Sequence, residues 1–200
     1  MNRDKRTLIV YYSNTGHTLR AAEEIKGLAG GTLCGIYPRQ PYPIDPHEME
    51  IQIRREQKEG YVPGLLPLKV KPEVYERVYL GTPNWHGRIA PPLIALMEKW
   101  DFSGKILIPF CTCTGESIAR MRNLVQAGCP GAYVLEGFSV RNDDEKNLRD
   151  TIKNKLKKIW TEEISNEKKK FVIMHGNWSH DDNERLRFPD SEYRHHRSSD

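Results

Sequence analysis

Apolar residues along this chain fall into short dense runs that alternate with spaced stripes. Thr7-Leu8-Ile9-Val10-Tyr11-Tyr12 is an unbroken β-branched and aromatic run. It is too short for a helix and lacks polar alternation, which suits a strand buried on both faces of a parallel sheet. Leu19, Ala22, Ile25 and Leu28 then recur at helical spacing, with Glu23, Glu24 and Lys26 turned outward. After the Gly30-Gly31 break, Thr32–Tyr37 reads as a second, weaker strand. Pro38, Pro41, Pro43 and Pro46 enforce an extended segment. A polar helix follows over 47–58, with Met49, Ile53, Glu56 and Gln57 along one side and Gly60 ending it.

Pro63, Pro67 and Pro72 exclude helix from the connection to a third strand, Val78–Gly81. Pro91-Pro92 opens the next helix where proline is tolerated, and Leu93, Leu96, Met97 and Trp100 form its stripe. Ile106–Cys111 is the fourth strand, in which Pro109 removes a ladder bond and marks a bulge or a locally unpaired position. Ile118, Met121, Leu124 and Val125 predict a helix stopped near Gly128 and Pro130, and Tyr133–Val140 is the fifth strand. A last helix is expected over 143–164, lined inward by Leu148, Ile152, Leu156 and Ile159. Its acidic start and lysine-rich end match the helix dipole.

This alternation is that of an α/β protein, a parallel sheet with helices on both faces. The domain is expected over 1–164. A polar extension, 165–200, follows, in which Phe171–Met174 could form one short strand before a flexible tail. In such sheets ligands bind beyond the carboxyl ends of the strands, so the loops after strands one, three and four decide function.

The first of these loops is Ser13-Asn14-Thr15-Gly16-His17-Thr18. A strand, a small hydroxyl-rich loop and a helix together aim backbone N–H groups and a positive helix end at an anion. Without a lysine or a Gly-Lys-Ser/Thr ending, the loop suits one compact phosphate held by neutral donors; an ordinary capped turn is the other reading. The second loop, Gly81–Pro91, carries Trp85 between glycines and prolines. A tryptophan so placed is expected on display for stacking a planar ring, the alternative being a cap on a helix end. The third, Thr112-Cys113-Thr114-Gly115-Glu116-Ser117, is again small and hydroxyl-rich. Its Cys111–Cys113 pair lacks companions at ligand spacing and reads as packed thiols rather than a metal or disulfide site.

Composition adds limits. No apolar stretch approaches a membrane span or a signal core, so a cytoplasmic protein with four reduced cysteines is expected. The net charge of +4 is modest and shows no basic stripe with interleaved aromatics, so no nucleic-acid partner is expected. His175, His180, Asp181, Asp182, His195 and His196 are irregularly spaced in a polar segment and read as solvated rather than as a metal site.

The motifs Y-S-N-T-G-H-T, L-G-T-P-N-W-H-G and S-G-K-I-L-I-P-F-C-T-C-T-G-E-S, in that order, resemble the flavodoxin-like family. They are most similar to the branch with Trp in the loop after strand three. The resemblance covers about residues 7–160. It implies a flavodoxin-like three-layer sandwich, with a five-stranded parallel sheet in the order 2-1-3-4-5 and FMN bound without a covalent link. By position it implies that Ser13, Asn14, Thr15, Gly16, His17 and Thr18 hold the FMN phosphate. Pro83, Asn84, Trp85, His86 and Gly87 would meet the flavin ring, and Thr112, Cys113, Thr114 and Gly115 would line its other edge. His17 stands where such loops usually carry asparagine, and the third loop has no aromatic, so the ring would stack on Trp85 alone. Well-known flavodoxins are acidic, whereas this chain is basic.

The function expected is a redox protein passing electrons through FMN to a partner protein or small acceptor, with a homodimer open. The alternatives are an FMN-dependent NAD(P)H:quinone-type oxidoreductase and a non-redox domain that has lost the flavin. No catalytic acid/base pair and no metal site is assigned.

Overall fold

The computed structural model describes residues 6–114, 118–143 and 146–175. Its first strand is β1 (Thr7–Tyr11), an interior strand buried at every position as its apolar run requires. β1 pairs in parallel with β2 (Thr32–Gly35) on one side and β3 (Arg77–Trp85) on the other. β3 pairs onward with β5 (Ile106–Cys113), which pairs with β6 (Tyr133–Val134) and β7 (Phe138–Arg141). A short β4 (Arg88–Ile89) folds back antiparallel on β3. The spatial order is β2-β1-β3-β5-β6. With β6 and β7 together as the fifth predicted strand, this is the expected 2-1-3-4-5 order.

Strand pleating sorts the core into two layers. Leu8, Val10, Val78, Leu80 and Leu107 join one cluster with Leu93 and Leu96 of α3 (Pro91–Lys99) and with Met121 and Val125 of α4 (Ile118–Gly128). Ile53 of α2 (Pro46–Glu59) belongs to the same cluster. The alternate residues Ile9, Tyr79, Ile108 and Phe110 are equally buried but lie outside it. So do Ala21, Ala22 and Ile25 of α1 (His17–Ala29) and Ile152 and Leu156 of α5 (Leu148–His175).

Several local expectations change. The buried stripe of α1 is Thr18, Ala21, Ala22 and Ile25, while Leu19 and Leu28 are only half-buried. Small residues lie nearest the sheet, and the leucines spread along the flanks. Leu124, expected inward, is 37% exposed. α2 starts one residue early because the Asp45 carboxylate accepts from the N–H groups of His47 and Glu48, with Pro46 in the first turn. A single 3-10 turn, Pro72–Val74, interrupts the connection read as helix-free.

The fifth strand is split, and Pro109 explains the split. β5 keeps its register with β3 through Leu80↔Pro109, but on its outer edge β6 stops at Val134 and β7 begins at Phe138. The proline therefore lies where the outer neighbour is interrupted, the locally unpaired alternative of the sequence reading. Gly137 at φ 72 makes the break, and a Cβ there would sit 2.2 Å from the Pro109 carbonyl oxygen.

α5 departs from expectation at both ends. Asp143, expected in its first turn, instead forks its carboxylate onto the Arg141 guanidinium at 3.0 and 2.9 Å in a turn before the helix. At the other end Phe171–Met174 is helix, not strand, since α5 continues to His175. No glycine or proline interrupts 148–175, so nothing local stops propagation before Gly176. The chain divides into units Met1–Ile159 and Trp160–Asp200, and the described part of the second, 160–175, is helical. The expected flexible tail, with His180, Asp181, Asp182, His195 and His196, lies outside the described residues. Among the described residues no helix is long and apolar enough to cross a membrane.

Candidate functional site

Tyr11 is paired in parallel with Gly81 and Gly81 with Phe110, so the carboxyl ends of β1, β3 and β5 point the same way. The three predicted loops therefore leave one edge of the sheet.

In the first loop Gly16 stands at φ 90 immediately before α1. No side chain caps this helix, and its first turn holds no acidic residue. The helix start thus keeps its positive character. A Cβ on Gly16 would meet nothing within 4 Å, so backbone geometry rather than space calls for glycine. Ser13 Oγ is buried and has no hydrogen-bond partner among the described residues. A buried hydroxyl without a partner is costly, which fits a loop whose ligand completes it. Thr15 is exposed and His17 half-buried. Asn14 is tied down: its Oδ1 accepts from the Tyr12 hydroxyl at 3.2 Å and its amide meets Met49 Sδ at 2.9 Å.

Thr18 corrects the expectation of a freely offered hydroxyl. It is 1% exposed, and its Oγ1 bonds Thr112 Oγ1 at 2.9 Å. The pair ties the first turn of α1 to the end of β5, so Thr112 too is a buried strut between two of the loops.

The second loop is a hairpin rather than an open loop. β3 runs on through Pro83 and Asn84 to Trp85, and Trp85 faces Arg88 across a two-residue turn. His86 at φ 54 and Gly87 at φ 75 give that turn positive φ at both central positions, as tight hairpins prefer. Asn84 Oδ1 accepts from the Gly87 N–H at 2.8 Å and closes the turn. α2 braces it twice: Gln57 Nε2 donates to the Trp85 carbonyl at 3.0 Å, and His86 Nε2 lies 2.9 Å from Glu50 Oε2. Hydrogen bonds from Arg54, then from His86, hold the Glu50 carboxyl below the ordinary carboxylate range. At the base of the hairpin, Thr82 Oγ1 accepts from the Ala90 N–H at 3.1 Å.

Trp85 is not displayed. It is 8% exposed, with ring centroids 5.8 Å from Tyr12 and 4.8 Å from Tyr42, both edge-on. Its Gly/Pro-rich neighbours in sequence gave no hint of Tyr12 and Tyr42, which reach it from the residue after β1 and from the proline segment. Behind them Tyr42 donates to Glu56 Oε2 at 2.5 Å, and Gln52 donates to the other carboxylate oxygen at 2.8 Å. Burial, then the hydrogen bond to Glu56, pushes the Tyr42 hydroxyl above its ordinary range. The sequence reading placed Glu56 on the helix's packed side but missed its partner. Phe110 fills the space beside Gly81, where a Cβ would come within 2.2 Å of the ring, so this glycine serves the packing of β3 on β5.

In the third loop Thr112 and Cys113 are buried and Thr114 is exposed, while Gly115, Glu116 and Ser117 lie outside the described residues. Neither Cys111 nor Cys113 forms a disulfide. Burial, then Cys113, raises the Cys111 thiol to about 12. A thiol held protonated is a poor nucleophile and a poor metal ligand, so packing accounts for this pair.

A family model described as Flavodoxin matches residues 6–162. Among solved structures, a candidate flavoprotein from Bacteroides uniformis ATCC 8492 is similar at 27% identity and TM-score 0.66, covering 74% of this chain and 98% of that one. A second, from Bacteroides eggerthii DSM 20697, has 26% identity and TM-score 0.66, over 77% of this chain and 97% of that one. A flavoprotein from Lactobacillus acidophilus NCFM, solved in complex with FMN, shares the fold at 21% identity and TM-score 0.60, over 73% of this chain and 99% of that one. No curated protein matches the sequence.

Proposed function

The chain belongs to the flavodoxin family, and from that premise we propose that it binds FMN without a covalent link and carries electrons through it to a partner. The observation that carries the reading is the pairing of an uncapped α1, opened by Gly16 in the left-handed region, with a buried Ser13 hydroxyl that lacks a partner. A phosphate would give that hydroxyl and the first N–H groups of α1 their acceptor. The similar flavoprotein from Lactobacillus acidophilus was solved with FMN, which supports the choice of anion.

Bound FMN would supply chemistry that no side chain has, accepting electrons in one- or two-electron steps. Ser13, Asn14, Thr15, Gly16, His17 and Thr18 form the phosphate loop. Within it Asn14 and Thr18 hold the shape while Ser13 and backbone N–H groups donate. Pro83, Asn84, Trp85, His86 and Gly87 present the hairpin to the ring, with Trp85 stiffening it from behind through Tyr12 and Tyr42. Thr112, Cys113 and Thr114 form the other edge. We propose that the protein works in the reducing cytoplasm, a reading supported by four cysteines of which none is in a disulfide.

Arg120 favours keeping the oxidoreductase reading as the second. Its guanidinium reaches to 3.3 Å of the Cβ position at Gly87, so a cationic group stands beside the hairpin tip where an anionic dinucleotide donor would be steered. Steady-state oxidation of NADH or NADPH with a quinone separates the two: turnover selects the enzyme and its absence the carrier.

FMN and riboflavin titrations test the premise they share. FMN is expected to bind at least tenfold tighter than riboflavin, because the loop serves the phosphate. Equal affinity would remove the proposal.

A further inference from the structure

A cavity of about 360 Å³ is bordered by the end of α2, by β4, α3 and α4. Gln57, Tyr61, Arg88, Ile89, Ile94 and Met97 are among its lining residues, and none of residues 13–18, 83–87 or 112–114 lines it. Its size falls in the range of small-molecule sites, roughly 300–1,000 Å³, and aliphatic walls with few polar groups are their usual composition.

The polar groups decide what such a cavity accepts. Glu56 carboxylate oxygens are taken by Tyr42 and Gln52. The Gln57 amide is spent on the Trp85 carbonyl. Arg88 is exposed at the mouth, and no hydrogen bond or ion pair engages it among the described residues. An arginine offers five donors in a planar fork suited to a carboxylate or another anionic oxygen group. Glu98, also on the lining and exposed, sets the opposite charge on the α3 side of the rim.

We propose that this cavity is a second small-molecule site, taking a flat apolar ring system that carries one anionic oxygen group. Ile89, Ile94 and Met97 receive the ring, and Arg88 receives the anion. Glu98 sets the orientation by repelling the anion from the α3 side. The site shares none of the residues assigned to FMN and adjoins them, because Arg88 is the cross-strand partner of Trp85.

The test uses the full chain, with and without FMN, and two probes of equal ring size, 2-naphthoate and neutral 2-naphthylmethanol, followed by calorimetry. The expected result is 2-naphthoate binding at least tenfold tighter than the alcohol, with or without FMN. Arg88→Gln should abolish that preference and leave FMN affinity unchanged, and Glu98→Gln should strengthen 2-naphthoate binding. Met97→Trp fills the cavity and should exclude both probes. Ile94→Trp, at a half-buried position, serves the same purpose if the first variant fails to fold. Failure of 2-naphthoate to bind, equal binding of the two, an unchanged preference in Arg88→Gln, or displacement of 2-naphthoate by FMN would each overturn the proposal. Loss of FMN binding in the parent chain would instead count against the flavin reading alone.

Discussion

Ser13 and Thr18 show how two hydroxyls in one loop come to different uses. Ser13 Oγ is buried without a partner, whereas Thr18 Oγ1 is consumed by Thr112. Ser13→Ala should therefore cost FMN binding about tenfold or more, since a hydrogen bond to a charged group contributes roughly 1.5–3 kcal/mol, while leaving the urea midpoint nearly unchanged. An unaltered FMN affinity would deny Ser13 its role. Thr18→Val should do the reverse, destabilising the fold by about 1–3 kcal/mol because it strands the buried Thr112 hydroxyl. Adding Thr112→Val should recover much of that loss. A double variant that is simply the sum of two losses would show that the hydroxyls do not act as a pair.

Among the elements, the outer edge of the sheet depends most on a single residue. β5 carries a proline in a central position, and the sheet accommodates it only because β6 and β7 leave a gap opposite. Gly137 makes the gap, with positive φ and its α-carbon against the Pro109 carbonyl. Gly137→Ala should therefore destabilise by at least about 2 kcal/mol, adding steric overlap to left-handed strain. Denaturant unfolding measures it. A loss under about 0.5 kcal/mol would mean that the edge relaxes around a methyl group. The hairpin is held differently, by separate bonds from Gln57, Glu50 and Asn84, so no one substitution should release it.

For the whole molecule, the buried titratable groups set an alkaline limit. Burial is the main cause that raises Cys111 from 9.0 to about 12, Cys129 from 9.0 to about 11 and Tyr11 from 10.0 to about 12. Each stays neutral in the folded protein at pH values where the unfolded chain has already released its proton. Their contribution is fully present below about pH 9 and is lost as pH climbs toward 12. Urea midpoints taken from pH 8 to 11 should fall above pH 9, and Cys111→Ala should flatten the fall; a level profile in the parent protein would contradict the burial of these groups. The same distinction between local and distant causes separates what the sequence determined alone from what needed the tertiary structure. Alternating runs and stripes, the Gly60 stop and the small hydroxyl loop after β1 were legible because their causes lie within a few neighbouring residues. Those features were enough to establish the parallel sheet and the edge where the loops gather, whereas the strand order came from the resemblance of the three motifs to the flavodoxin-like family. Whether Trp85 is shown or hidden, whether Thr18 is free or committed, and how β6 and β7 part around Pro109 were decided only in three dimensions. Tyr42, Thr112 and Gly137 stand far along the chain from the residues they govern, and sequence periodicity carries no record of which side chain arrives from another strand. The far end of α5 is the exception in kind: its continuation to His175 was local information, a stretch without glycine or proline, outweighed in the reading by a short apolar run that resembles a strand.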